Sequence, residues 1–289
     1  MYSYDVKYSI VIPTYNRHEM LARCIDCLKP EVQTQSSKHY DYDVIVSDDS
    51  SQLLAKMMIE KDYSWVTWVQ GPRKGPAANR NNGAKYAQGE WLIFTDDDCL
   101  PDPQWLEAYT IAIKTEPTCQ AFEGRVYVDR PKKTLAEKSP CNESGGYLWS
   151  CNFAIQKQLF NQIGGFDERF PYAAMEDVDL RFRLTQAGYQ FLFVKDASVC
   201  HPWRTMTGWS ELKQRQKSIL IYLSIHPKQR EELNSNTFFK KALIKLYRDI
   251  IVESFTIGIE GALLALLEAY MFLQTALILM KMQKSNREK

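Results

Sequence analysis

The sequence predicts an α/β fold: a mostly parallel sheet flanked by helices, with a C-terminal helical extension. Three observations carry this. Short apolar runs without polar alternation recur at Tyr8–Ile12, Asp43–Ser47, Trp65–Val69 and Trp91–Phe94, the pattern of strands buried on both faces. Helix-forming stretches separate them, as parallel strands require. From Phe238 to about Met282 the chain is dense in helix formers and poor in strand signals.

Composition narrows the classes. A length of 289 residues suits one large domain, or one plus an appendage, and 45% apolar with 25% charged residues is ordinary for a globular chain. With a net charge of +1 nothing points to nucleic acid as the main partner, and none is expected. The seven cysteines are scattered, and the CxxC of Cys24 and Cys27 falls on an expected helix with no second pair at zinc spacing, so free thiols of a cytoplasmic protein are expected. The N-terminal MYSYDVKYS has neither the basic nor the apolar region of a secretory signal.

Taken in order, YSIVI is stopped by Pro13, and the loop Pro13-Thr14-Tyr15-Asn16-Arg17 leads into a helix from about Glu19 to Leu28. Loops after strands of open α/β sheets hold ligands; here Tyr15 could stack on a base and Arg17 reach a phosphate, the alternative being a plain turn. The second strand, DVIVS, ends at Asp48-Asp49, where one carboxylate can accept from a ribose or base and the other can cap the helix from Gln52 to Lys61. Gly71 to Asn82 is a Gly/Pro/basic loop with Arg73, Lys74 and Arg80; it lacks the P-loop pattern but enters a helix and could hold a diphosphate.

The fourth strand runs directly into Asp96-Asp97-Asp98. Three crowded carboxylates raise one another's pKa values unless a cation neutralises them. A hard divalent cation does so, and Mg²⁺ takes one or two protein carboxylates plus substrate phosphates. The competing reading is an acidic turn before the helix Pro103 to Lys114. Ala121 to Val128 reads as a strand, Pro131 to Ser144 as an irregular, mobile segment, Gly146 to Ile155 as an apolar aromatic stretch, and Lys157 to Ile163 as a short helix. Glu176 and Asp177 start a helix that Gly188 ends, a place where the dipole favours carboxylates, and Asp179 with Arg183 forms an i,i+4 pair. QFLFV, residues 190–194, is a last strand, and His201 follows it.

Four motifs now stand in one order: SIVIPTYNR, VSDDSS, GEWLIFTDDDC, then GGFDE with EDVDLRFRL. Their order and spacing resemble family 2 glycosyltransferases over residues 7–204. The resemblance implies the GT-A fold and inverting transfer from a nucleotide-diphosphate sugar. It places Pro13, Thr14, Tyr15, Arg17, Asp49, Arg80, Asp96 and Asp97 toward the nucleotide, and Asp98 with His201 toward Mn²⁺ or Mg²⁺. Asp177, with Glu176, becomes the general base. Trp149, Cys151 and Asn152 fall on the acceptor or sugar side. Thr95 stands where the family often has leucine, and the QxxRW motif of processive synthases is absent, which points to single transfer. The expected partners are a UDP-sugar donor and a saccharide or lipid-linked acceptor in bacterial polysaccharide or glycolipid synthesis. A sugar nucleotidyltransferase would want a glycine-rich basic loop after the first strand, and a catalytically inactive scaffold would not need Asp98, Asp177 and His201 together.

The expected domains are 1–204, catalytic, and 205–289, a helical extension. Ile257 to Met280 is apolar on nearly all sides but interrupted by Glu260, Glu268 and Gln274, with Lys240, Lys241, Lys245 and Arg248 upstream and Lys281, Lys284, Arg287 and Lys289 downstream. Acidic interruptions disfavour a clean span. Docking on the catalytic domain or a dimer partner, a peripheral place on the inner membrane face and a transmembrane span all stay open.

Overall fold

The computed structural model describes residues 6–33, 41–206 and 208–287, so Lys289 lies outside the described residues. The chain divides into two compact units, one running to Asp129 and resuming over Pro140–Pro202, the other made of Arg130–Ser139 and everything from Trp203.

In the first unit the strands are β1 (Lys7–Thr14), β2 (Asp41–Asp48), β3 (Val66–Gln70), β4 (Trp91–Thr95), β5 (Leu100–Pro101) and β6 (Ala121–Tyr127), then, past β7 (Glu137–Lys138) of the other unit, β8 (Asn152–Gln156) and β9 (Leu192–Cys200). The helices are α1 (His18–Cys27), α2 (Pro30–Gln33), α3 (Leu54–Asp62), α4 (Pro76–Tyr86), α5 (Trp105–Thr115), α6 (Lys157–Gln162) and α7 (Glu176–Gln186). The eight-stranded sheet has the order β3-β2-β1-β4-β8-β6-β9-β5. β1 pairs parallel with β2 and β4, with Val11 opposite both Ile45 and Phe94. Ile10, Ile12, Val44, Val46, Ile93 and Leu21 are buried together, which is why these runs carry no polar alternation.

Two regions depart from the sequence reading. The second half of Gly146 to Ile155 forms β8, which lies antiparallel between β4 and β6 and makes the sheet mixed. β9 continues to Cys200 rather than stopping at Val194: Gly124 pairs with Val194 and Arg125 with Ser198, so residues 195–197 bulge out of the ladder. The polar Lys195-Asp196 of that bulge hid the continuation.

In the second unit the segment expected to be irregular and mobile pairs β7 with β10 (Arg204–Thr205), and Glu137 accepts from Arg130 and the Lys133 amide. Helices α8 (Trp209–Ile225), α9 (Ser235–Lys245), α10 (Ser254–Ile257) and α11 (Ala262–Arg287) follow, with a wide π turn over Leu246–Glu253. Asn234 caps α9 by accepting from the Thr237 amide at 3.0 Å. Phe238 of α9 packs on Phe272 of α11. Glu268 of α11 is buried yet paired with Lys138, Lys245 and Arg215, so the acidic interruption of the apolar run is the centre of an ion network.

Candidate active site

The site is built at the carboxyl ends of β1, β2 and β4, where an open α/β sheet exposes its loops. Thr14 at the end of β1 donates to Asp97 at 2.7 Å. Arg17 reaches Asp97 at 2.8 Å and Asp98 at 2.7 Å. Asp97 is wholly buried, and burial with its neighbours Asp98 and Asp96 pushes its carboxyl up to about 7 against the pull of Arg17 and Thr14. It therefore anchors the β1 loop from below. Pro13, opposite Ser47, is buried in β1, whereas Tyr15 is 61% exposed beside a cleft lined by Asn16, Arg17, His18, Ser50 and Gln52.

Asp49 organises the basic loop. Its carboxylate accepts from the amides of Arg73 at 2.8 Å and Gly75 at 3.1 Å. Burial raises its pKa, and those two amides oppose the rise. A Cβ on Gly71 would stand 2.2 Å from Asp49 Oδ1, so only glycine lets the loop lie this close.

Arg80 on α4 is 3% exposed and bridges the two acidic motifs, donating to Asp96 at 2.6 Å and to Glu176 at 3.1 Å. Its guanidinium lies over the Phe166 ring at 5.5 Å. Asp96 is desolvated, but Arg80 holds its carboxyl below the usual range. Glu176 is not matched in this way: burial and the adjacent Asp177 push it up to about 7, and its Oε2 has no hydrogen-bond partner among the described residues. Burial also raises Asp177, against amides that include those of Val178 and Ser150. Met175 precedes them at φ 72°, a left-handed conformation that is costly for a side chain of this size and turns both carboxylates into the first turn of α7. Asp179 and Arg183 pair at 2.7 Å as a structural contact.

His201 Nε2 lies 3.4 Å from Asp98, and its Nδ1 lies 3.1 Å from the Pro202 carbonyl oxygen. Asp98, Cys99 and His201 bring ligand atoms within 4.8 Å of one another. A carboxylate and an imidazole suit Mn²⁺ or, with the carboxylate dominating, Mg²⁺. Burial lifts the Cys99 thiol far above its usual range, and a soft sulfur ligand suits a hard cation less well than the carboxylate and imidazole do. The donor set fits a cation that completes its shell with substrate oxygens.

On the other side, Trp149 stacks on Tyr147 at 5.1 Å and 14°. Cys151 is buried; contact with Cys99 lowers its thiol pKa, while burial and the charges of Asp96, Asp177 and Asp98 raise it on balance. Asn152 is not on an acceptor surface. Its carbonyl accepts from Trp105 and Tyr109, and its amide donates to the Arg125 and Ala197 carbonyls, so this buried side chain ties β8 to β6, β9 and α5.

Residues 9–167 match the model of glycosyl transferase family 2, and residues 146–282 match that of glycosyl transferase family group 2. The chain belongs to glycosyl transferase family 2. Among its relatives, a chondroitin synthase of Escherichia coli is 25% identical over 83% of this chain and 42% of its own length. An uncharacterized glycosyltransferase of Haemophilus influenzae is 30% identical over 62% of each chain. The chain thus spans less than two thirds of either. A crystal structure of GalNAc-T7 with UDP, GalNAc and Mn²⁺ superposes with a TM-score of 0.56 at 18% identity, covering 75% of this chain and 48% of that one. The fold is GT-A, as the sequence implies.

Sequence reasoning about this family 2 member missed Glu123 and Tyr147. Glu123 is buried on β6 and accepts from the amides of Gly146, Tyr147 and Leu148. A lone carboxylate inside the apolar run AFEGRVYV was the available signal, since a buried carboxylate needs donors.

Proposed function

We propose that the protein is an inverting glycosyltransferase that moves a sugar from a nucleotide-diphosphate donor, a UDP-sugar, to a hydroxyl of a saccharide or lipid-linked saccharide in bacterial glycan synthesis. The observation that carries this is the pair of carboxylate motifs, one at the end of β4 and one at the start of α7, tied by the single buried Arg80. Inversion needs charge handling on the leaving side and a base on the opposite side of the sugar, and two separate acidic motifs supply the parts.

Asp177 takes the proton of the acceptor hydroxyl. The oxygen of that acceptor hydroxyl bonds the anomeric carbon as the bond to the diphosphate breaks, the electron pair leaving on the diphosphate. A desolvated carboxylate with a raised pKa suits this base role near neutral pH. Glu176 holds Arg80 and through it Asp96. Tyr15, Asp49 and the loop it organises form the nucleotide side, and Arg17 lies where a diphosphate would gain a cationic partner. Asp98 and His201 would hold Mn²⁺ or Mg²⁺, which supplies Lewis-acid charge to the departing diphosphate.

Residues 1–204 are then the catalytic domain. The helical extension, 205–289, sits peripherally on the cytoplasmic membrane face. Phe239, Leu243, Tyr247, Ile251 and Phe255 recur at four-residue spacing, and all are exposed, with Lys240 and Arg248 alongside. α11 is long and apolar enough to span, but its Glu268 is locked into an ion network that a span would have to break.

The test is calorimetric titration of UDP, GDP and dTDP with Mn²⁺ and with EDTA. Metal-dependent binding of UDP is expected; Asp98→Ala should lose it, and Asp177→Ala should keep it while losing transfer. No binding of any of the three nucleotides overturns the reading.

A further inference from the structure

We propose that the exposed ring of Tyr147, backed by Trp149, is the platform on which the acceptor saccharide lies; this rests on the glycosyl-transfer reading above. Tyr147 is 43% exposed, although it is a large aromatic ring on a loop whose backbone is firmly held. One of its faces lies against Trp149, which packs on the core of the first unit. The other face is left to solvent.

The fixing of that loop is the second observation. Three consecutive amides, those of Gly146, Tyr147 and Leu148, converge on the buried carboxylate of Glu123, and Asn142 donates to the same group at 3.0 Å. The path needs Gly145 and Gly146 at φ 84° and 98° and holds Leu148 at φ 51°, a conformation unfavourable for leucine. Glu123 lies inside β6, so the ring is referenced to the sheet itself. An aromatic ring bound in this way presents its face at low cost in conformational entropy.

The third observation is where the platform points. Arg181 of α7 donates to the Gly146 carbonyl, and the Ser150 amide lies near enough to Asp177 to oppose the rise of its carboxyl. The loop that carries the aromatic pair is therefore tied to the helix that carries the base, through Arg181 and the Gly146 carbonyl. A hydroxyl delivered to Asp177 would come from a molecule resting beside this pair. One flat ring with Arg181 bound to the adjoining Gly146 carbonyl suits a pyranose, whose apolar C–H face stacks while its rim hydroxyls meet polar groups. A lipid chain would need a continuous apolar groove, which this single ring does not make.

The experiment is saturation-transfer NMR on the full chain with UDP and Mn²⁺, using methyl β-glucoside, methyl β-galactoside and methyl N-acetyl-β-glucosaminide as probes. Native protein and Tyr147→Phe should transfer saturation to the C–H face of at least one glycoside, and Tyr147→Ala should weaken that glycoside's binding about tenfold, the size of one aromatic stacking contact. UDP affinity by calorimetry should be equal in all three proteins. Undiminished binding in Tyr147→Ala, or no transfer to any of the three glycosides from native protein that still binds UDP, overturns the platform. If native protein also fails to bind UDP, the glycosyl-transfer reading falls with it.

Discussion

Two buried glutamates, one in each unit, have opposite electrostatic fates. Glu176 and Glu268 are each 3% exposed and each sits on a helix beside arginine. Around Glu176, one guanidinium is shared with Asp96 and stands near Asp177; the carboxyl rises to about 7, with one oxygen unpartnered among the described residues. Burial would raise Glu268 as well, but Lys245, Arg215 and Lys138 outweigh it and hold the carboxyl at about 2. The ratio of cations to carboxylates, not burial, separates a group kept ready to exchange a proton from one spent on holding helices together. A buried cluster short of positive charge is unstable unless function maintains it.

The largest effect expected from this contrast is on rate. Asp177→Asn should lower kcat by about 10²–10⁴-fold, the usual contribution of a positioned base, with UDP affinity unchanged by calorimetry. Glu268→Gln should leave kcat per folded molecule unaltered. An equal loss of kcat in both variants would erase the distinction.

Next is stability. Glu268→Ala leaves Lys138, Lys245 and Arg215 with Asp249, which pairs with the two lysines, as the remaining anion of the network, and removing one partner of a buried network costs up to about 3–5 kcal/mol. Thermal unfolding followed by circular dichroism should show a clearly lower Tm. Glu176→Gln removes a carboxylate that burial disfavours, so its Tm at pH 8 should be unchanged or higher.

The two groups also predict opposite pH slopes. Glu268 is depressed from 4.5 to about 2, so its contribution is complete above pH 4.5 and lost as pH falls toward 2, a loss of about 3 kcal/mol by linkage. Glu176 is raised from 4.5 to about 7, so its contribution is complete below pH 4.5 and lost as pH rises through 7. Transfer needs Asp177 ionised and should rise with pH, and burial, which raises its carboxyl, moves that rise above the ordinary aspartate range. Urea midpoints across pH should fall at both ends, and Glu176→Gln should lessen only the alkaline fall, part of which Asp97 keeps.

Much of this was legible in the sequence because it depends on chain-local pattern. Apolar runs of four or five residues ended by Asp or Pro located β1, β2 and β4 and placed Asp49, Asp96, Asp98 and Asp177 at their ends or at a helix start. What the sequence did not carry is direction. In Asp96-Asp97-Asp98 the middle carboxylate turns inward to Thr14, and which of three adjacent aspartates does so depends on strand geometry. Asn152 looked like a polar group on a ligand wall, yet four partners distant in sequence consume it. The same long-range pairing hid Glu123 and the β9 bulge, since neither the loop that satisfies the one nor the strand that skips past the other is near in sequence.

The smallest effect sharpens the comparison from the exposed side. Arg169 pairs with Asp167 at 2.6 Å, the same distance as buried Arg80 to Asp96, but its side chain is 66% exposed. Water and salt screen such a pair, and holding two mobile side chains together costs entropy. Arg169→Ala should therefore change stability by less than about 1 kcal/mol, and 1 M NaCl should remove even that difference. A Tm loss comparable to that of Glu268→Ala would mean that geometry alone sets the strength of these pairs, and the cation-to-carboxylate argument for the site would lose its basis.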